Sequence, residues 1–93
     1  MSTSRHTASF LVRNRYGLHA RAARQLAETA TRFEARITVQ KDGRAVDCKS
    51  ILELLLLEAV VGSRLEIEAQ GVDAEAAVQA LGELIENLFG ESE

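Results

Sequence analysis

The sequence predicts an α/β fold, an open-faced sandwich in which three helices cover one face of a four-stranded antiparallel sheet. Four segments alternate between inward apolar and outward positions, as strands do when only one face of a sheet is buried. Three other segments repeat apolar residues at helical spacing, between or after these strands. Because the other sheet face is exposed to water, we expect all the helices on the buried face.

The first half of the chain predicts one strand, one helix and a hairpin. Ala8, Phe10 and Val12 occupy every second position of strand one. Apolar residues at helical spacing predict helix one, at Ala22, Ala23, Leu26, Ala27, Ala30 and Phe33. Asp42-Gly43 signals a tight turn between the second and third strands. The inward positions of these two strands are Ile37, Val39, Val46 and Cys48.

The second half predicts a short helix, a strand and a longer helix. Ser50 and Glu53 have the spacing of a capping box, in which a hydroxyl and a carboxylate bond each other's backbone amides. Gly62 is expected to close this helix, and Asp73 to cap the last one. The inward positions of strand four are Leu65, Ile67 and Ala69. The apolar stripe of helix three contains Ala77, Val78, Leu81, Leu84, Ile85 and Leu88.

The element order β-α-β-β-α-β-α suggests how the sheet is arranged. A right-handed β-α-β crossover leaves room for a strand between its two strands, so we expect the sheet order 1-4-2-3. Ninety-three residues suit one domain, spanning residues 1–93. The apolar fraction of 46% and charged fraction of 27% are typical of soluble globular proteins. With one cysteine and no segment typical of a secretory signal or membrane span, we expect a cytoplasmic protein that contacts no membrane.

Positive charge is concentrated around one histidine. Residues 1–24 contain five arginines and no acidic residue, whereas residues 25–93 contain six basic and fourteen acidic residues, within a net charge of −3. His19 lies in the basic segment, at the predicted N-terminus of helix one. Such an end favours anions, and neutral imidazole is a nucleophile, so His19 is the candidate acceptor of a phosphoryl group. Arg21 and the first-turn amides are expected to stabilise its charge.

Two other kinds of site are disfavoured. An α/β sandwich with a basic segment could bind nucleic acid, but the chain is acidic overall and has four aromatic residues, none of them in strands two to four. The candidate metal ligands His6, His19 and Cys48 lie far apart without paired spacing. We therefore expect no nucleic acid, no metal and no cofactor.

Three features together resemble a known family. Gly17-Leu18-His19-Ala20-Arg21, the step Lys49-Ser50-Ile51 and Gly71 before the last long helix are similar to HPr, the histidine-containing phosphocarrier family of the bacterial phosphotransferase system. The resemblance extends over residues 8–89, nearly the whole chain. The Leu-rich second helix and the acidic C-terminal end resemble the nitrogen-related branch, NPr, more than the sugar-transport branch.

The resemblance implies a mechanism and a set of partners. His19 would receive a phosphoryl group on Nδ1 from Enzyme I, which draws on phosphoenolpyruvate, and pass it to a histidine of an EIIA-type protein. Arg21 would stabilise that group. The chain would be a monomeric carrier with a phosphohistidine intermediate and no independent catalytic turnover. The alternative is a degenerate HPr-like regulator that binds partners without phosphotransfer, and the presence of both His19 and Arg21 argues against it.

A docking surface and a regulatory serine are expected near His19. Apolar residues surround more than one face of helix two, so some must stay exposed. The expected partner-contacting residues are Ala20, Arg24, Ile51, Leu52, Leu55 and Leu56, with Leu54 and Leu57 on the core side. Arg24 is equally well explained as a surface pair with Glu28. Ser50 resembles the serine that a dedicated kinase phosphorylates in some HPr proteins, although its role as a cap explains it fully.

Two departures from the usual HPr pattern affect the site. Ala22 stands where most members have a proline, so the first helical turn is less preset, while the nucleophile and the donors remain. Glu53 and Glu58 stand where HPr proteins often have non-acidic residues. They make the face of helix two more negative, which bears on the partners it accepts.

Overall fold

The computed structural model describes residues 4–93; residues 1–3 of the predicted domain lie outside it. The strands are β1 (Arg5–Leu11), β2 (Arg36–Lys41), β3 (Arg44–Asp47) and β4 (Arg64–Gln70). The helices are α1 (Ala20–Ala30), α2 (Ile51–Leu56) and α3 (Ala74–Glu86), followed by a 3-10 turn at Leu88–Gly90. The predicted element order is confirmed. Within residues 4–93, no helix has the length and apolar character needed to cross a membrane.

The sheet has the strand order β1-β4-β2-β3, and every neighbouring pair is antiparallel. β4 lies between β1 and β2, with Ile67 opposite Ala8 on one side and Val39 on the other. Alternate residues of β2 and β4 are buried against the helices, and their neighbours face solvent or are half-buried. The predicted open-faced sandwich and its strand order are therefore confirmed.

The core lies between the sheet and the three helices. Its largest fully buried apolar side chains are Phe89, Leu26, Ile37, Leu54, Leu65, Ile67, Leu81 and Ile85. Helix α3 packs closely against β1 at Gly82. A Cβ at this position would lie 2.5 Å from the ring of Phe10, so the approach requires glycine. This tight packing brings the C-terminal end of the chain back toward the loop that follows β1.

Helix α2 ends earlier than the sequence pattern predicts. Gly62 does not close it but lies in the turn before β4, where its N–H donates to the carbonyl of Val12 at 2.8 Å. Side chains from the β2–β3 hairpin bind the last carbonyls of the helix instead. Arg44 donates to the Leu56 carbonyl at 3.1 Å, and Lys41 donates to the next carbonyl at 3.2 Å. In a helix that ends with a glycine cap, backbone N–H groups bind the last carbonyls. Here the two cationic side chains bind them instead.

The two predicted helix caps also differ in detail. The Ser50 hydroxyl accepts from the Glu53 amide at 3.2 Å, as expected, but the Glu53 carboxylate accepts from the amide of Asp47 and not from that of Ser50. Only half of the capping box forms. Asp73 stands at the N-terminus of α3 without a capping hydrogen bond. Its carboxylate accepts from the amides of residues 34 and 35, which ties the start of α3 to the α1–β2 connection.

Four apolar residues lie just beyond the elements predicted to contain them. Val12 follows β1 by one residue, and Leu88 follows α3 by two. Phe33 follows the end of α1 by three residues and is half-buried against the core. Cys48 follows β3 by one residue and is fully buried. The side chains of Phe33 and Cys48 still contribute to the core, so the apolar pattern located these buried positions correctly and overestimated the lengths of the elements.

Candidate functional site

His19 is the N-cap residue of α1. Its backbone is extended (φ −76°, ψ 179°), and Nδ1 accepts a hydrogen bond from the Arg21 amide at 3.2 Å. A ring nitrogen therefore does here what a serine or aspartate oxygen does at most helix starts. The side chain is 31% exposed. Nδ1 thus lies at the positive end of the α1 dipole and remains within reach of a partner.

The other ring nitrogen contacts a carboxylate that the sequence analysis did not identify. Nε2 of His19 lies 2.5 Å from Oε2 of Glu91, and Oε1 of Glu91 accepts from the side-chain amide of Asn14 at 3.1 Å. Glu91 directly follows the 3-10 turn that ends the helical part of the chain. Its side chain is only 12% exposed. The C-terminal residues therefore form part of the His19 site.

These partners define which ring nitrogen carries the proton. A backbone N–H can only donate, so Nδ1 must present its lone pair to Arg21. An ionised carboxylate can only accept, so Nε2 carries the proton and donates it to Glu91. Desolvation raises the pKa of the Glu91 carboxyl, but hydrogen bonds from His19 and Asn14 and the nearby charge of Arg21 outweigh it and hold that pKa below its ordinary value. Nδ1 of His19 thus carries an unprotonated, nucleophilic lone pair, to which the Arg21 amide donates.

Asn14 holds the two sides of the site together. It is fully buried, and its side-chain amide donates to the Gly17 carbonyl at 2.8 Å as well as to Glu91. Seventy-seven residues separate Asn14 from Glu91, and seventy-two separate His19 from Glu91. No local motif marks such a contact. Its one trace in the sequence is the opposite charge of the basic N-terminal segment and the acidic C-terminal end.

Two loop residues, Tyr16 and Arg15, connect the His19 ring to the C-terminal segment. Tyr16 meets the His19 ring edge to face, with the ring centroids 6.3 Å apart. Arg15 lies 5.6 Å from the Tyr16 ring centre and binds the C-terminal segment twice. Its amide donates to a main-chain oxygen of Glu93 at 2.9 Å, and its guanidinium lies 3.5 Å from the Glu93 carboxylate. The C-terminal residues thus contact the loop and Nε2, while Arg21 stays exposed near Nδ1.

An exposed apolar surface lies beside this site. We define the helix-two patch as the exposed residues Ile51, Leu52, Leu56, Val60 and Val61. Leu52 is 76% exposed, whereas Leu54 and Leu57 are buried on the core side. Leu55 departs from the expected exposed set, because it is half-buried and packs against the core. Val60 and Val61 extend the patch beyond the residues expected to contact partners.

The remaining predicted site residues lie around His19 and at the start of α2. Ala20 and Arg24 are exposed on α1, and Arg24 pairs with Glu28 at 2.9 Å, four residues along the helix. Ala22 is fully buried in the first turn of α1. Ser50 is half-buried, and its hydroxyl already accepts from the α2 backbone.

Comparison with known proteins places this chain in a family. Residues 6–87 match the family model described as the PTS HPr component phosphorylation site. The chain belongs to the HPr family. It is 42% identical over 80 residues to the phosphocarrier protein HPr of Cupriavidus necator, a match that covers 86% of this chain and 90% of that one. It is also 41% identical over 93 residues to the multiphosphoryl transfer protein of Vibrio cholerae, of which the match covers 23%.

Solved HPr structures share the fold. HPr-C-His from Thermoanaerobacter tengcongensis superposes with a TM-score of 0.91 at 38% identity, covering 95% of this chain and 99% of that chain. HPr from Bacillus anthracis superposes with a TM-score of 0.84 at 35% identity, covering 88% and 98%. The protein is a phosphocarrier of the phosphotransferase system. The degenerate regulator without phosphotransfer is not favoured.

Proposed function

We propose that Nδ1 of His19 accepts a phosphoryl group from phosphorylated Enzyme I and passes it to a histidine of an EIIA-type protein. One observation supports this assignment most strongly. Nδ1 is the unprotonated ring nitrogen, and it lies at the N-terminus of α1 beside the amide of Arg21. A nucleophile and an anion-binding helix end coincide at that atom.

The transfer exchanges one phosphorus–nitrogen bond for another. The Nδ1 lone pair of His19 attacks the phosphorus of a phosphohistidine on Enzyme I. The bond from phosphorus to the donor ring breaks, and its electron pair returns to that ring. Transfer to an EIIA-type protein repeats the exchange, with His19 as the donor. The protein is therefore a carrier whose own bonds are restored after each cycle.

The protein's part in this exchange is to position the phosphoryl group and supply positive potential. The transition state spreads negative charge over three phosphoryl oxygens. As Nδ1 uses its lone pair, the Arg21 amide that it held becomes available to donate to one of those oxygens. The Arg21 guanidinium adds a full charge, and the α1 dipole adds a partial one.

The surface around His19 is proposed as the docking site for both partners. The helix-two patch supplies apolar area, and Ala20 and Arg24 extend it along α1. A partner suited to this surface presents an apolar face with an acidic rim. We propose that the protein works as a monomer in the cytoplasm, and that a serine kinase acting at Ser50 would be a third partner.

Transfer rates from phosphorylated Enzyme I test the role of Arg21. Arg21→Ala should slow transfer by about 10²-fold, because a donor to the developing charge is lost. Arg32→Ala is the matched control, since it removes the same charge from an exposed position just beyond the far end of α1, outside the proposed docking surface. It should change the rate much less. Equal effects of the two substitutions would show that only the general positive field matters.

A further inference from the structure

The Glu91 carboxylate is held in place from several directions. Its two oxygens are bound by His19 and Asn14, and its amide donates to the Leu88 carbonyl at 2.9 Å. Two residues later, Glu93 is bound by the backbone and side chain of Arg15. The C-terminal segment is thus attached at two separate points to the loop that precedes α1. These attachments hold the Glu91 carboxylate against the His19 ring.

A carboxylate at Nε2 selects the reactive form of the ring. Neutral imidazole exists as two tautomers, and only the form with its proton on Nε2 leaves a lone pair on Nδ1. The Arg21 amide favours this form from one side of the ring, and Glu91 favours it from the other. A carboxylate hydrogen-bonded to the second nitrogen of a histidine is also how proteins orient rings that ligate metals.

The charge of the ring changes during transfer, but the position of its proton does not. When Nδ1 gives its lone pair to phosphorus while Nε2 keeps its proton, the ring becomes positively charged. When the phosphoryl group leaves, the electron pair returns to Nδ1 and the ring is neutral again. A carboxylate bound at Nε2 stabilises the charged state, because a hydrogen bond between ionised groups is stronger than one between neutral groups.

We infer that Glu91 is a positioning residue for phosphoryl transfer, which keeps the proton on Nε2 of His19 and balances the positive charge of the phosphorylated ring. This inference rests on the proposed role of His19 as the acceptor. Glu93 provides a matched control on the same segment. Its carboxylate meets Arg15 and not the ring, so Glu93→Gln removes an equal charge without touching His19.

The first test needs no phosphoryl transfer. Nitrogen NMR shifts of the His19 ring report which nitrogen carries the proton. The wild type and Glu93→Gln should show a protonated Nε2 and an unprotonated Nδ1. Glu91→Ala keeps the Arg21 amide but loses the acceptor at Nε2, so the fraction of the tautomer protonated on Nδ1 should rise, with amide spectra that still report a folded protein. An unchanged tautomer in Glu91→Ala would overturn the inference.

The second test measures the equilibrium of phosphoryl exchange with Enzyme I. Glu91→Gln keeps a hydrogen-bond acceptor but loses the negative charge that stabilises the phosphorylated ring. The equilibrium constant for transfer from Enzyme I to His19, calculated from the phosphorylated fraction, should therefore be about tenfold lower than in the wild type. Glu93→Gln should change that constant by about twofold or less. Equal constants for the two variants would overturn the inference and leave the role of His19 intact. A wild-type protein that takes no phosphate on His19 would overturn the proposed function, and the inference with it.

Discussion

Gly17 meets the backbone of Ala59 so closely that a side chain at position 17 would overlap it. Its φ is +63°, and a Cβ there would lie 2.4 Å from the Ala59 carbonyl oxygen. The amide of Leu18 donates to that same oxygen at 2.8 Å. His19 follows directly, and Ala59 lies three residues beyond the end of α2. The contact therefore fixes the phosphoryl site against the helix-two patch.

Gly17→Ala should lower the free energy of unfolding by about 2–5 kcal/mol, because it combines a left-handed backbone with steric overlap. Gly43→Ala is the matched control. Gly43 also has a positive φ, of +83°, but a Cβ there would meet nothing within 4 Å. Its loss should be about 1–2 kcal/mol. Urea denaturation of both variants measures the difference, and equal losses would show that the Ala59 contact adds nothing.

Substitutions on the buried and exposed faces of α2 should have separate effects on stability and on partner binding. Leu54 is fully buried, so Leu54→Ala should cost about 2–5 kcal/mol of stability. Leu52 is mostly exposed, so Leu52→Lys should change stability by about 0.5 kcal/mol or less and weaken docking to Enzyme I. Titration calorimetry and thermal unfolding check the two expectations. If Leu52→Lys bound Enzyme I as the wild type does, the helix-two patch would not be the docking surface.

Two substitutions at Ser50 distinguish its role as a helix cap from its proposed role as a regulatory site. Ser50→Ala should cost about 0.5–2 kcal/mol, since the Glu53 amide loses its acceptor. Ser50→Asp should stay folded, because aspartate also caps, and should accept phosphoryl groups from Enzyme I more slowly. The reason is a negative charge placed beside Glu53 on the proposed docking surface. Unchanged kinetics of Ser50→Asp at low and moderate salt, with a stability loss in Ser50→Ala, would leave Ser50 as a cap alone.

Cys48 should be unreactive in the folded protein. Burial raises the pKa of its thiol to about 12, and the neighbouring charge of Asp47 adds to the effect. Because the thiolate is the reactive form, alkylation at pH 8 should proceed only after unfolding in urea. Mass spectrometry of native and denatured samples measures this. Rapid alkylation of the native protein would show that the segment after β3 opens easily.

The fold could be predicted from sequence because burial on one sheet face imposes a regular pattern. Period-two segments such as the one containing Leu65 and Ile67 leave little choice of element or face. The end of α2 could not be predicted in this way. Lys41 and Arg44 bind its last carbonyls from a distant hairpin, and no local cap marks the position. The acceptor of the Glu53 side chain is likewise set by tertiary contact.

The site likewise contains residues that a local motif predicts and residues that only tertiary contacts bring together. His19 and Arg21 are neighbours at a helix start, so one short motif places both of them. Glu91 and Asn14 meet only after the C-terminal segment folds back over the loop. Leu55 shows a smaller limit of the same kind, because a helix that is apolar all round does not reveal which residues meet the core.

The most direct test of the central claim is the intact mass of the protein after incubation with Enzyme I and phosphoenolpyruvate, recorded before and after mild acid. The wild type should gain one phosphate that acid removes, because the bond from phosphorus to the histidine nitrogen is labile. His19→Ala, and His19→Asn, which keeps a capping side chain, should gain none while circular dichroism shows both folded. An acid-labile phosphate on either variant, or an acid-stable one on the wild type, would contradict the assignment of His19 as the phosphoryl carrier.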